Sequence, residues 1–214
     1  VNPHFLYNTL NVMKSISRLR GIEEVAEISE SLAGLFQYSM KQLHQPVALR
    51  EEIEHIYNYF KIQQHRFGER LELTCDIPEP LLEARLLKLS IQPLVENAVN
   101  HGLRKMKAGG KIRITARRED DRLLIEVADN GAGIDAIKLE ELSRRLEAAE
   151  PLQEADDARE GGIGLLNIHQ RVRLFYGKTY GLTLTGTPGC GTTVTLCIPY
   201  LLVRQEKEEA AENE

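Results

Sequence analysis

No run of apolar residues in this chain approaches the ~18 that a membrane-crossing helix needs, and no signal-peptide pattern opens it, so the piece in hand is expected to be soluble. Cysteine is scarce. Cys75, Cys190 and Cys197 are odd in number and lack C-x-x-C spacing, which argues against a disulfide framework and a zinc site and fits a reducing cytosol. Basic runs are absent and the net charge is -5, which argues against direct nucleic-acid binding, since that would require a positive face. What remains is 214 residues, 42% hydrophobic and 28% charged, enough for one large domain or two small ones with a real core. The chain starts at Val1 inside a helix-start signal, Asn2-Pro3, and a fragment of a longer protein is expected.

The stretch Leu89 to Gly102, L-S-I-Q-P-L-V-E-N-A-V-N-H-G, organises the rest. Ile91, Leu94, Val95 and Ala98 fall at i, i+3, i+4 and i+7 and predict one core-facing side of a helix. Glu96, Asn97, Asn100 and Pro93 are expected together on the other side, a carboxylate and two amides of the kind that suits a hydrated divalent ion and phosphate oxygens. Before it lie three amphipathic helical runs. The first spans Pro3 to about Arg20, with Phe5, Val12, Ile16 and Leu19 on one stripe and His4, Asn8, Asn11 and Ser15 on its polar side. The second runs from Ile22 to about Leu43, and the third from Glu51 to Phe67 with Ile53, Ile56, Tyr57 and Phe60 periodic. None can bury its stripe alone, so they must pack together or against a second copy.

After Gly68 the pattern changes. Strands are expected at Leu71–Asp76, Lys111–Arg118, Arg122–Asp129, Tyr180–Gly186 and Thr192–Pro199, a helix-prone segment at Asp135–Glu150, a mobile stretch at Pro151–Glu160, a helix from Gly164 to Tyr176, and a charged tail. Two glycine clusters sit at element ends. D-N-G-A-G, Asp129 to Gly133, ends a strand; a carboxylate there can accept the exocyclic amino hydrogens of adenine, and Gly131 and Gly133 would let the backbone approach a ligand. G-G-I-G-L-L-N, Gly161 to Asn167, enters a helix whose free N–H groups would hold phosphate oxygens. Glycines at a hairpin and at a helix start are also ordinary structural devices. A P-loop is excluded because Val172 stands where its leading glycine belongs, and a dinucleotide fingerprint because Asn167 replaces the third glycine.

The ordered set is more specific than its parts. E-N-A-x-x-H-G on a helix, D-x-G-x-G after a strand, G-G-I-G-L-x-N-I before a helix and G-x-G-T-T at the last strand resemble the ATP-binding domain shared by gyrase, the heat-shock chaperone, histidine kinases and MutL. The opening N-P-H-F-L-Y-N-T-L-N, with N-Y-F-K-I-Q-Q-H-R-F-G-E-R-L from Asn58 to Leu71, resembles the LytS/YesM-like sensor histidine kinases. That resemblance implies that His4 is the phosphoacceptor, Asn97 a magnesium ligand and Asp129, with Asn130, Gly131 and Gly133 beside it, the adenine reader. It further implies that Gly161, Gly162, Ile163, Gly164 and Leu165 cradle phosphate below a lid that begins after Gly133, and that Thr192 supports the adenine pocket. It also implies ATP and Mg2+ as cofactors, a homodimeric helical bundle, a response-regulator partner and an upstream membrane sensor, which would place the full-length protein at the cytoplasmic face of the membrane.

Phe5 and Pro93 depart from the family pattern, since acidic and polar residues often stand at those two places. Glu96 is therefore the candidate base, and Asn8 a candidate for positioning water in the reverse, phosphatase step. Asn100 stands where relatives often carry a lysine. His44, His55, His65, His101 and His169 are read as surface or packing residues, with His101 the one that could line the nucleotide site. The expectation is an α+β chain: helical dimerisation and histidine phosphotransfer over 1–68, a two-layer ATP-binding sandwich with a mixed sheet over 69–200, and a tail over 201–214. The activity expected is ATP-dependent autophosphorylation of His4 and transfer to a response-regulator aspartate. A nucleotide-binding signalling scaffold without phosphoryl transfer is the alternative.

Overall fold

The computed structural model describes residues 3–40, 45–68, 70–103, 106, 108–148 and 163–202. Two long helices open the chain, α1 (Pro3–Leu19) and α2 (Glu23–Met40), joined at Gly21, whose φ of 69° suits glycine best. They form an antiparallel hairpin in which Glu30 of α2 bonds Lys14 at 2.8 Å and Arg18 at 2.9 Å. Strand β1 (Pro46–Ala48) then leads into α3 (Leu49–Phe67).

Strand β2 (Leu71–Asp76) is followed by a 3-10 turn (Glu79–Glu83), β3 (Arg85–Leu87), the short α4 (Gln92–Asn97) and a single π-helical turn (Ala98–Leu103). Strands β4 (Gly110–Glu119) and β5 (Arg122–Asp129) come next, then α5 (Ala136–Ala148), α6 (Ile163–Tyr176), β6 (Gly181–Thr187) and β7 (Gly191–Pro199). The main sheet has the order β2-β4-β5-β7-β6, with β2 parallel to β4 and the other neighbours antiparallel; β1 and β3 make a separate antiparallel pair. The mixed sheet and its helical layer bear out the expected α+β class.

Alternation decides which sheet face is covered. Ile112 and Ile114 on β4, Leu123, Ile125 and Val127 on β5 and Val194, Leu196 and Ile198 on β7 are all buried, and register pairs Ile114 with Val127 and Ile125 with Leu196. The alternate positions, Lys111, Arg113 and Arg117, face solvent. The core continues across residue 68, because Leu49, Ile53, Ile56 and Phe60 of α3 lie in the same apolar cluster as the strands.

The expected helices and the five long strands are present, with ends displaced by a few residues. The short β1 and β3 carry no local signal, since three residues have no period to show and their pairing joins segments far apart in sequence. The tail begins later than residue 201: the Arg85 N–H donates to the Leu201 carbonyl at 2.8 Å, and Ala84 forms a bridge with Leu202. The stretch read as mobile, Pro151 to Glu160, lies outside the described residues.

Candidate nucleotide site

Asp129 is the last inward-facing residue of β5, in step with Leu123, Ile125 and Val127, so the pleat turns its carboxylate toward the helical layer. Its Oδ1 accepts the Gly131 N–H at 2.8 Å. Burial pushes the Asp129 carboxyl above its ordinary range, and bonds from the Gly131 and Thr192 backbones pull it part of the way back. A carboxylate offers about four acceptor positions, so two backbone donors leave capacity for a ligand. Ala128 pairs with Thr193, which sets Thr192 of β7 beside Asp129.

Four glycines close the backbone around that carboxylate. A Cβ on Gly102 would lie 2.5 Å from Asp129 Oδ1, one on Gly131 2.1 Å from the Gly102 carbonyl oxygen, one on Gly133 1.9 Å from the Thr187 oxygen and one on Gly191 1.8 Å from the Asp129 oxygen. The Ala132 N–H donates to Gly102 O at 3.0 Å, and the Gly189 N–H to Ala132 O at 2.8 Å. The close approach that Gly131 and Gly133 permit is thus between main chains of this protein. Such contacts between distant segments leave no local trace in the sequence, and Gly133 also lines the neighbouring cleft.

Above Asp129 lies a cleft of about 250 Å3. Leu94, Ala98, Val127, Ile134, Leu142, Leu165, Leu184 and Val194 give it apolar walls, and Asn97, His101, Asp135, Lys138 and Thr192 bring polar groups to it. Asn97, at the end of α4, holds its amide nitrogen 3.9 Å from where a Cβ of Gly164 would stand, so that amide meets the first turn of α6. Asp129, Asn97, Gly133, Leu165 and Thr192 therefore converge, with Gly164 adjoining. Ile163 starts α6, while Gly161 and Gly162 lie outside the described residues.

Other expected members sit elsewhere. Asn130 is exposed and ties the loop to β4: its Oδ1 accepts the Lys111 N–H at 2.7 Å and its Nδ2 donates to Gly109 O at 2.9 Å. Asn100 is exposed and does not line the cleft. Glu96 is half-buried outside the cleft lining and accepts Gln92 Nε2 at 2.6 Å. The single helical face expected for Glu96, Asn97 and Asn100 does not form, because adjacent residues diverge around a helix and the π turn changes the phase after Asn97. That same turn brings His101 to the cleft. Lys138, Asp135 and Ile134 were missed by the sequence reading, since Lys and Asp on a helix-prone charged segment read as solvated surface.

His4 does not line the cleft; it is exposed in the first turn of α1, and Asn8 Nδ2 lies 3.4 Å from both ring nitrogens. Phe5 beside it is 64% exposed. Among the described residues no helix is long and apolar enough to cross a membrane, and no group of three or more His, Cys, Asp or Glu side chains could cage a metal ion.

Residues 83–202 match the family of histidine kinase-, DNA gyrase B-, and HSP90-like ATPases, over half of the sequence. The chain belongs to that family. Residues 1–71 match a histidine kinase family model as well. Sensor histidine kinase BtsS of Escherichia coli (strain K12) is 33% identical over 200 residues, 94% of this chain and 32% of that protein. Sensor histidine kinase YesM of Bacillus subtilis (strain 168) is 34% identical over 199 residues, 93% of this chain and 32% of that protein. The chain thus spans about a third of the length of these relatives, and its resemblance to LytS/YesM-like sensor histidine kinases is borne out. Among solved structures, the histidine kinase domain of the Erythrobacter litoralis EL346 blue-light activated histidine kinase superposes with a TM-score of 0.50 at 15% identity, covering 97% of this chain and 88% of that one. The catalytic domain of histidine kinase ThkA gives 0.52 at 18% identity, over 72% and 96% of the two chains. At those identities the likeness concerns the fold of this ATPase family.

Proposed function

We propose that this chain is the kinase core of a two-component sensor: it binds Mg-ATP, moves the γ-phosphoryl group onto a nitrogen of His4 and passes it to a response-regulator aspartate. The observation that carries this reading is the convergence of Asp129, Asn97 and the first turn of α6 on one cleft. Asp129 would accept the adenine amino hydrogens while the apolar walls sandwich the ring, and Thr192 would support the same edge. Asn97 offers a hard amide oxygen, and magnesium is usually held by few side chains, its waters and substrate phosphates. The ion, when bound, neutralises charge on the phosphates. Gly161 to Leu165 are assigned to the phosphate oxygens, and Lys138 and His101 add side chains at the cleft.

In the transfer, a His4 nitrogen lone pair forms the N–P bond, ADP leaves with the electrons of the broken P–O bond, and the imidazole proton passes to a base, for which Glu96 remains our assignment. Asn8 restrains the His4 ring and is assigned to water positioning in the reverse step. The division is proposed as 1–68 for dimerisation and phosphotransfer and 69–200 for ATP, with α3 joining the two through its share of the core. Dimerisation is supported by the apolar stripe of α1, where Phe5, Val12, Met13, Ile16 and Leu19 are all exposed. Attachment to an upstream membrane sensor is proposed from the relatives.

Label from γ-phosphate-marked ATP tests the reading. An acid-labile phosphoprotein is expected, absent in His4→Gln while ATP binding persists. ATP binding with neither label nor phosphate release would instead leave a nucleotide-binding scaffold, and release of free phosphate an ATP-driven clamp.

A further inference from the structure

The segment Lys88 to Ile91 links β3 to α4, and Leu89 within it has a φ of 56°, a left-handed conformation that a non-glycine residue keeps only when its surroundings impose it. Three helices impose it here. Glu52 of α3, fully buried, accepts the N–H groups of Leu89 at 2.6 Å, Ser90 at 3.1 Å and Ile91 at 3.1 Å. Arg171 of α6 donates to the Leu89 carbonyl at 2.6 Å and to Ser90 Oγ at 3.2 Å, while Ser90 Oγ donates to Leu87 O at 2.6 Å. Tyr38 of α2 donates its hydroxyl to Glu52, and its ring lies between His55, stacked at 4.1 Å, and the Lys88 ammonium, 4.8 Å from the ring centroid.

One buried carboxylate therefore touches the helix packed on α1, while the segment it holds is gripped by the helix whose start meets Asn97. Burial pushes the Glu52 carboxyl up and the Arg171 guanidinium down, so the charged forms carry a desolvation cost, which the donors around Glu52 offset in part. Replacing buried ion networks by apolar packing is often neutral for stability, and their retention can instead serve to specify a geometry. The hydrogen bonds continue onto α4: His55 Nε2–H donates to Gln92 Oε1, and Gln92 Nε2 donates to Glu96, the residue before Asn97.

We propose that Glu52 is a positioning residue of the nucleotide site, holding Lys88–Ile91 so that α4 and α6 present Asn97 and the phosphate-binding turn to one cleft, and tying that geometry through Tyr38 to the helical hairpin that carries His4. The inference rests on the reading of the cleft as a Mg-ATP site. Neither Glu52 nor Tyr38 lines that cleft.

Tyr38→Phe removes one hydroxyl and keeps the ring packed on His55 and Lys88. Calorimetry is expected to show Mg-ATP bound roughly fivefold or more weakly by this variant, in the range of ordinary site-to-site coupling. Amide hydrogen exchange at residues 89–97 should speed up. In an Asn97→Ala background the Tyr38→Phe effect should largely vanish, since both changes act on one group, whereas independent sites add. Glu52→Gln, which cannot accept all the donors, should act in the same direction and more strongly, and serves if Tyr38→Phe is too mild to resolve. A lowered melting temperature with unchanged Mg-ATP affinity and unchanged exchange, or a fully additive double variant, overturns the proposal and leaves Glu52 a structural residue only. A parent chain that binds no Mg-ATP overturns the kinase reading itself, an outcome distinct from a parent and a Tyr38→Phe variant that bind alike.

Discussion

Helices α1 and α3 carry apolar stripes of the same period and meet opposite fates. On α3 Ile53, Ile56 and Phe60 lie in the core beneath the sheet. On α1 Ile16 is 53% and Leu19 87% exposed, although the helix is equally regular. The difference is not in the helices but in what the chain supplies to cover them: α3 is followed by a sheet, α1 only by α2. Periodicity states that a face requires burial and is silent on whether the cover is the same chain or a second copy.

The largest effect should come from charging the uncovered stripe. Val12→Glu together with Ile16→Glu is expected to raise the dimer dissociation constant more than ~100-fold, because carboxylates would be desolvated without partners. Sedimentation at several concentrations reads this, and a variant that stays dimeric would move the interface elsewhere. Ile56→Ala is the counterpart on α3 and should cost about 2–5 kcal/mol of unfolding free energy. Its denaturation shift should be nearly the same at every protein concentration, whereas the effect of Ile16→Ala should fade as dilution takes the parent below its dimer dissociation constant; equal behaviour would erase the contrast.

Asp129→Asn is expected to cost about 1–3 kcal/mol in ATP affinity, since an amide keeps one acceptor oxygen and loses the charge. Unchanged ATP binding, or equal affinity for GTP in the parent, would remove Asp129 from the adenine edge. The smallest effect concerns pH. Burial lowers the His55 imidazole, with Lys88 nearby adding to it, and burial with Arg173 lowers that of His169. The unfolded chain then binds more protons below about pH 6.5, so the stability these neutral rings contribute is present above that pH and lost as pH falls toward their folded values. Asp129 and Glu52, raised by burial, act in the opposite sense, favouring the fold most at acid pH. The difference between parent and His55→Gln isolates one ring, and the variant's stability should fall less on acidification from pH 7 to 5.5. Parallel curves would show that His55 does not titrate in this window.

Much of this was legible in the sequence where the signal is local. The long strands declare themselves by alternation, and the motifs that resemble the ATPase family pointed to Asn97, Asp129 and Gly164 to Leu165, groups that do meet. The contacts that Asn130 and Gly131 make within the chain, to Lys111 and to Gly102, were not legible in their motif, because they depend on pairing between distant segments. Glu52 was invisible for a related reason. A glutamate within a helical run reads as solvated, and only the packed fold shows it without solvent contact, accepting three backbone donors.

The glycine cluster around Asp129 also bears on how the cleft could be targeted. Gly102 and Gly133 line it, and a methyl group at Gly133 would collide with the Thr187 carbonyl, which has no rotamer by which to yield. An inhibitor that took its contacts from that stretch of backbone would leave few single-codon routes to resistance, since the residues forming the wall cannot change without distorting it. Escape would have to come through lining side chains such as His101 and Lys138, and a compound that made little use of them would narrow that route as well.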